Sequence, residues 1–297
     1  MFRSALVGLV VVLLIAKAAT GLRLVWSNSA ERTDRVTFAP QPKNYEVRAD
    51  NGSIEFDGND DASANVEVTS ICQASAHDEQ AAAAALEAME VTIDGRDKEI
   101  CRIGWHWKTP PHPDWSGTVR FQVVAPQHVN VRCDAQNGAV TVHKLSGDAR
   151  LKSQNGRIVS ETSGDTLEAT TENGTIDSKF SGRHLRLRTS NGTVAADLSR
   201  AAAIDGEIGT QNGTVTLTVG NHTACKLSAS TVNGRVSGGA HKKGWKNKWS
   251  RNRSIDETFG EGGGPLKVTV QNGAIRIRHV TNDEDSEKDN GNDDSDD

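Results

Sequence analysis

The dipeptide Asn-Gly recurs eight times between residues 51 and 273, and its spacing there constrains the fold more tightly than any other feature. The copies are Asn51-Gly52, Asn137-Gly138, Asn155-Gly156, Asn173-Gly174, Asn191-Gly192, Asn212-Gly213, Asn233-Gly234 and Asn272-Gly273. Two residues beyond each glycine stands a β-branched apolar residue: Ile54, Val140, Ile158, Ile176, Val194, Val215, Val236 and Ile275. Asn-Gly readily supplies two consecutive residues at positive φ, so each copy predicts a tight turn between strands. From Asn137 to Asn191 the copies are spaced by eighteen residues, and Asn212 and Asn233 follow at twenty-one. Ser146-Gly147, Ser163-Gly164 and Ser181-Gly182 fall about halfway between, so each unit reads as two strands and two turns.

Within a unit, the second, fourth and sixth residues before the Asn are apolar or small, as in Thr171, Ala169 and Leu167 or Thr189, Leu187 and Leu185. Glu168, Glu172, Arg186 and Arg188 lie between them, so one face is dry and the other wet. An antiparallel meander and a stacked solenoid both satisfy this alternation. The return of the same residue classes at one coil length favours the solenoid, and a meander this long would need a second layer that one short helix cannot provide. Aromatics are 4% of the chain, which suits a thin core of Val, Ile, Leu, Ala, Ser and Thr. The expected fold class is all-β: a single-stranded β-solenoid with two strands per coil of about 18–21 residues and an N-terminal strand and helix cap. Stacked Asn amides at the turns would add a hydrogen-bonded ladder.

The flanking regions divide the chain further. Residues 1–18 have a positive start at Arg3, an uncharged run from Ser4 to Ala16 and a small-x-small site at Ala16-Lys17-Ala18. They read as a secretory signal peptide, or as an uncleaved membrane anchor if Lys17 snorkels and Leu22 to Trp26 extend the run towards the ~20 residues of a span. Residues 19–44, with Pro40 and Pro42, read as a linker. Residues 45–128 carry strands and a helix over His77 to Met89, rich in alanine with acids in its first turn, that caps the solenoid. Residues 129–280 hold the repeats, interrupted by an insertion at 239–264, and residues 281–297 are expected to be a disordered acidic tail.

Charge and chemistry narrow the function. From His279 to Asp297 the net charge is −8 against −5 overall, so the rest is close to neutral and no basic face marks a nucleic-acid binder. Neither a Gly-x-Ser-x-Gly, a His-Glu-x-x-His nor a P-loop is present, and no cofactor or metal site is expected. The four cysteines lack Cys-x-x-Cys spacing. A disulfide between Cys72 and Cys101 would close a loop around the helix and add roughly 3–4 kcal/mol on a chain-entropy model, while Cys133 and Cys225 read as buried thiols. His106 and His112 among Trp105, Trp107 and Trp115 suggest either a sugar or metal site or a loop packed on the cap. The interaction candidate is the insertion, where Lys242, Lys243, Lys246, Lys248, Arg251 and Arg253 surround Trp245 and Trp249, a segment that reads either as a binding element or as a solvated loop. Its expected partners are a cell-surface glycan, a membrane or an envelope protein, with the acidic tail as a competitor.

These features together carry a resemblance. The Ser/Gln-Asn-Gly-x-Ile/Val coils, the alanine-rich helix before them, and the closing stretch from Phe259 through Gly260-Glu261-Gly262-Gly263-Gly264-Pro265 into Gln271-Asn272-Gly273-Ala274-Ile275 resemble the bacterial putative-adhesin family, domain of unknown function 4097. The resemblance covers roughly Tyr45 to His279. It implies an exported, non-enzymatic β-solenoid of the cell envelope, placed in the periplasm or on the cell surface, with no catalytic residues to carry over. A polysaccharide lyase is the rival class, because lyases also use β-solenoids; it would need acids and bases massed on one outer strip, whereas the outward residues here change sign from coil to coil.

Overall fold

The computed structural model describes residues 28–238 and 253–280. The expected signal or anchor at 1–18, the basic insertion up to Asn252 and the acidic tail lie outside the described residues. In chain order the elements are β1 (Asn28–Phe38), β2 (Asn44–Asn51), β3 (Ile54–Asn59), β4 (Val66–Ala76), helix α1 (Glu79–Ala88), β5 (Met89–Asp94), β6 (Ile100–Trp107) and β7 (Ser116–Pro126). Then follow β8 (Asn130–Asn137), β9 (Val140–Leu145), β10 (Ala149–Asn155), β11 (Ile158–Thr162), β12 (Thr166–Asn173) and β13 (Ile176–Phe180). Four long strands and one short one complete the chain: β14 (His184–Leu198), β15 (Asp205–Gly220), β16 (Cys225–Gly238), β17 (Ser254–Phe259) and β18 (Pro265–Val280). The described residues are all-β apart from α1, and their eighteen strands belong to one hydrogen-bonded sheet.

Strands one repeat apart pair in parallel, which excludes a hairpin meander for the repeats. Asn137 is the register partner of both Asn51 and Asn155, Asn173 of Asn155 and Asn191, and Asn212 of Asn191. The apolar residue three beyond each Asn is 0–1% exposed in all eight copies. Side chains of matching repeat positions therefore stack on one another in the interior, and the alternation read from the sequence is the alternation of inside and outside.

The Asn-Gly dipeptides are not strand-reversing turns. None of the eight corner asparagines holds positive φ, and β14, β15, β16 and β18 run straight through their Asn-Gly as continuous strands. The glycines are required chiefly by stacking. A Cβ on Gly174 would lie 1.9 Å from the carbonyl oxygen of Gly156, and one on Gly213 would lie 1.7 Å from that of Gly192. The dipeptide is a corner at which neighbouring backbones approach too closely for any side chain. The halfway Ser-Gly pairs form a second such column, with the Cβ position of Gly164 2.0 Å from the oxygen of Gly147.

Polar groups at the first corner are satisfied between coils. Seven of the eight corner asparagines donate the Nδ2 amide to the Oδ1 of the one before it in the stack, at 2.8–3.0 Å, and Asn51 ends the series as an acceptor. The amide ladder expected from the sequence is present along the full stack. One step inside it, Ser153, Thr171, Thr189, Thr210 and Thr231 each donate a hydroxyl to the glycine carbonyl of an adjacent coil, at 3.0–3.4 Å. This explains why buried hydroxyls occur two residues before those asparagines.

Order in space departs from order in sequence at both ends. Strand β18 sits between β15 and β16, so the amide ladder runs Asn191, Asn212, Asn272, Asn233. The expected insertion 239–264 contains β17, which lies antiparallel on the outer side of β16. At the other end, β6 and β7 stack outside β2 and β3, and antiparallel β5 and β4 lie beyond them. Three of the four ends of the parallel runs thus carry antiparallel strands among the described residues, which blunts edges that would otherwise template further pairing.

The expected linker over 19–44 is corrected by β1, whose eleven residues pair antiparallel with β4. Its half-buried positions hold Ala30, Arg32, Asp34, Val36 and Phe38, so charges interrupt the apolar alternation that marks a strand in sequence. Arg32 is neutralised by Asp34 at 2.7 Å and donates to the carbonyls of Leu86 and Met89 at the C-terminal end of α1. That placement suits a cation at the negative end of a helix dipole. At the other end of α1, the Asp78 carboxylate accepts from the Ala81 amide as an N-cap.

Candidate functional site

The residues singled out in the sequence fall into separate places. Of the basic insertion, Arg253 is described: it is exposed and its carbonyl accepts from the Thr231 amide, while Lys242, Lys243, Trp245, Lys246, Lys248, Trp249 and Arg251 lie outside the described residues. The asparagines and glycines of the repeat line the first corner as a stacking device. Cys72 and Cys101 are free thiols, so the bridge considered between them is not formed. They sit in different strand pairings, Cys72 opposite Arg32 and Val119 and Cys101 opposite Tyr45. Burial pushes both thiols up to about 11. Cys133 and Cys225 are also buried and free, as their inward parity implied.

The tryptophan cluster packs on the cap. Trp105 and Trp107 meet edge to face with centroids 5.5 Å apart, and Trp107 lies 6.1 Å from Trp115. All three are partly buried against the core, and the ring of Trp107 closes over Gly117, where a Cβ would lie 2.7 Å from it. His106 lies 3.4 Å from Glu90 and His112 lies 3.4 Å from Asp114, each beside a single carboxylate. Of the two readings, the arrangement matches a loop packed on the cap. No group of three or more metal-type ligands occurs among the described residues.

A site that the sequence reading missed lies at the second corner. A groove of about 950 Å³ runs across successive coils there, lined by Lys144, Glu161, Lys179, Asp197 and Arg200, with Ser163, Ser181 and Ser199 following the strand ends. Glu161 is the register partner of Lys179, and Lys179 of Asp197, so these outward side chains form one row along the stack. At Lys144, β9 carries one more residue than β11 and the register shifts, while on the other side of β9 Asp57 pairs with His143. Lys144 holds φ of +52°, the one non-glycine residue at positive φ among the described residues. Such a bulge re-aims a side chain and stores strain. Its extra residue places both His143 and Lys144 opposite Glu161.

The charges of this row alternate coil by coil, yet none of them forms a salt bridge among the described residues. Elsewhere on the surface, equivalent neighbours do pair, as Arg188 with Glu207 at 2.6 Å and Arg157 with Asp177 at 2.8 Å. Beneath the groove, Thr162 is 4% exposed and its hydroxyl has no partner, as have those of Ser160 and Ser178. The signal for this row was present in the sequence as Glu161, Lys179 and Asp197 at one repeat position, with Lys144 one place beyond it. Only the bulge at Lys144, which shifts the count by one, hid its first member.

No family model matches the chain, and no curated protein matches it. Solved structures of bacterial proteins do. A putative adhesin from Bacteroides fragilis matches with a TM-score of 0.43 at 12% identity, over 84% of this chain and 97% of that one. A putative cell adhesion protein from Clostridium sporogenes matches with a TM-score of 0.35 at 12% identity, over 84% and 100%. A putative adhesin from Parabacteroides merdae matches with a TM-score of 0.35 at 14% identity, over 84% and 96%.

Proposed function

We propose that this chain is an exported, adhesin-like binding scaffold of the bacterial cell envelope, not an enzyme, built as a two-strand-per-coil β-solenoid of the putative-adhesin family, domain of unknown function 4097. The observation that carries the reading is the unbroken register of corner asparagines from Asn51 to Asn233. It holds eight coils in one stack and leaves their outward residues free to vary as a long, rigid binding surface. The interaction residues of the insertion, Lys242 to Arg253 with Trp245 and Trp249, add a cationic, aromatic element for an anionic glycan, membrane or envelope protein. No helix among the described residues is long and apolar enough to cross a membrane.

The test uses the full chain expressed with its N-terminal segment. Cell fractionation should place it outside the cytoplasm, and the purified protein should adhere to envelope fractions while releasing no product from the polysaccharides it meets. Recovery in the cytoplasm, or the appearance of unsaturated sugar products, would overturn the reading, and the latter would favour a lyase.

A further inference from the structure

The groove at the second corner has a pattern that selects a ligand. Lys144, Glu161, Lys179 and Asp197 stand on four successive coils as cation, anion, cation, anion, with Arg200 beyond Asp197. Parallel strands lie about 4.8 Å apart, so the sign of the surface changes at that interval along the stack. A polyanion laid in the groove would meet Glu161 and Asp197, and a polycation would meet Lys144 and Lys179. A neutral glycan would want an exposed aromatic face to stack on, and Phe180, the aromatic residue of the groove, is 2% exposed. The complementary ligand carries both signs in alternation.

The interval separates the polymers that could do so. An extended peptide advances about 3.3 Å per residue and presents side chains of one face every ~6.6 Å, which falls out of step with the coils. A linear glycan in extended form advances by about one strand spacing per sugar. The serines at the strand ends, Ser163, Ser181 and Ser199, add hydroxyls at the same interval, suited to sugar hydroxyls. The strained backbone at Lys144 brings that lysine into the row, and the row's side chains are left without ion-pair partners although their strands are direct neighbours.

We infer that this groove binds a linear zwitterionic polysaccharide, one in which carboxylate and free amino groups alternate along the chain. The inference rests on the scaffold reading above and names the ligand class for one of its faces. Lys144 and Lys179 are exposed and Glu161 and Asp197 half-buried, so each contact is screened by salt, and affinity comes from several contacts in register and falls steeply with ionic strength.

The probe is N-deacetylated hyaluronan, in which glucuronate alternates with glucosamine, compared with polygalacturonate and with chitosan by titration of the full-length protein. N-deacetylated hyaluronan should bind at 50 mM salt, and Lys179→Glu, which breaks the alternation at an exposed position, should weaken that binding at least tenfold with the melting temperature unchanged. Lys267→Glu, on the first-strand face, should leave it unchanged. Absence of binding to N-deacetylated hyaluronan, equal binding by the Lys179→Glu protein, or a loss confined to polygalacturonate would each overturn the inference. If such a failure is accompanied by continued adhesion to envelope fractions, the groove assignment is wrong and the scaffold reading stands.

Discussion

Asn272 donates its side-chain amide to Oδ1 of Asn212 at 2.9 Å, although sixty residues separate them and Asn233 lies between them in sequence. The contact records that β18 is laid down beside β15, inside β16, and that the amide ladder continues through the exchange.

The ladder should be measurable at its middle. Asn173 donates to Asn155 at 2.9 Å and accepts from Asn191 at 3.0 Å. Asn173→Ala should cost about 1 kcal/mol, and Asn173→Asp about 1–2 kcal/mol, because the carboxylate loses the donor and faces a neighbouring amide oxygen. Chemical denaturation at pH 7 should show lower midpoints with unchanged slopes. The deficit of Asn173→Asp should shrink as pH falls below about 4, where the introduced carboxyl regains a proton to donate.

Stacking alone sets corner glycines such as Gly174, whereas at Gly52, Gly192, Gly213 and Gly273 a positive φ adds to it. Gly174 has a neighbouring carbonyl oxygen 1.9 Å from its Cβ position, whereas Gly209, within β15, has nothing closer than the Thr269 hydroxyl at 3.3 Å. Gly174→Ala should therefore cost at least the 1–3 kcal/mol typical of overpacking, and Gly209→Ala should stay within about 0.5 kcal/mol. Equal melting temperatures for the two variants would contradict the stacked corner.

Buried thiols give a chemical check on the cap. Burial raises Cys72, Cys101 and Cys225 to about 11 and Cys133 higher still, so the native protein at pH 8 should be nearly inert to a thiol reagent. Unfolding without reductant should release four reactive thiols per chain, and two would mean that a bridge forms. Since unfolded thiols ionise before folded ones, this contribution to stability is present below the unfolded value near 9 and is lost as pH rises towards 11.

The two charged segments leave the fold from neighbouring strands. Gly238, after which the basic insertion begins, is the register partner of Ile277, and the acidic tail begins three residues later, beyond Val280. Deleting residues 281–297 should raise binding to anionic vesicles at low salt, and Trp245→Ala with Trp249→Ala should remove the apolar share. Identical binding by truncated and full-length protein across a salt series would show that the tail does not compete for the insertion.

Residue periodicity alone determined which side chains face inward. The eight residues from Ile54 to Ile275 at one repeat position are buried as their pattern demands, because a two-residue period leaves them no other side. The amide ladder followed for the same reason, since stacking identical coils must bring their asparagines together. The order of those coils was settled only in three dimensions. Coils with interchangeable interiors can neighbour one another in several sequences, and the choice depends on which strands close the ends, as β17 does for β16 and β4 for β7. Strand β1 was hidden because Arg32 and Asp34 satisfy each other and the end of α1, a compensation that no local pattern reveals. The charged groove was hidden likewise, because its first member enters the row through a bulge at Lys144, and a bulge is a property of pairing between strands, not of either strand by itself.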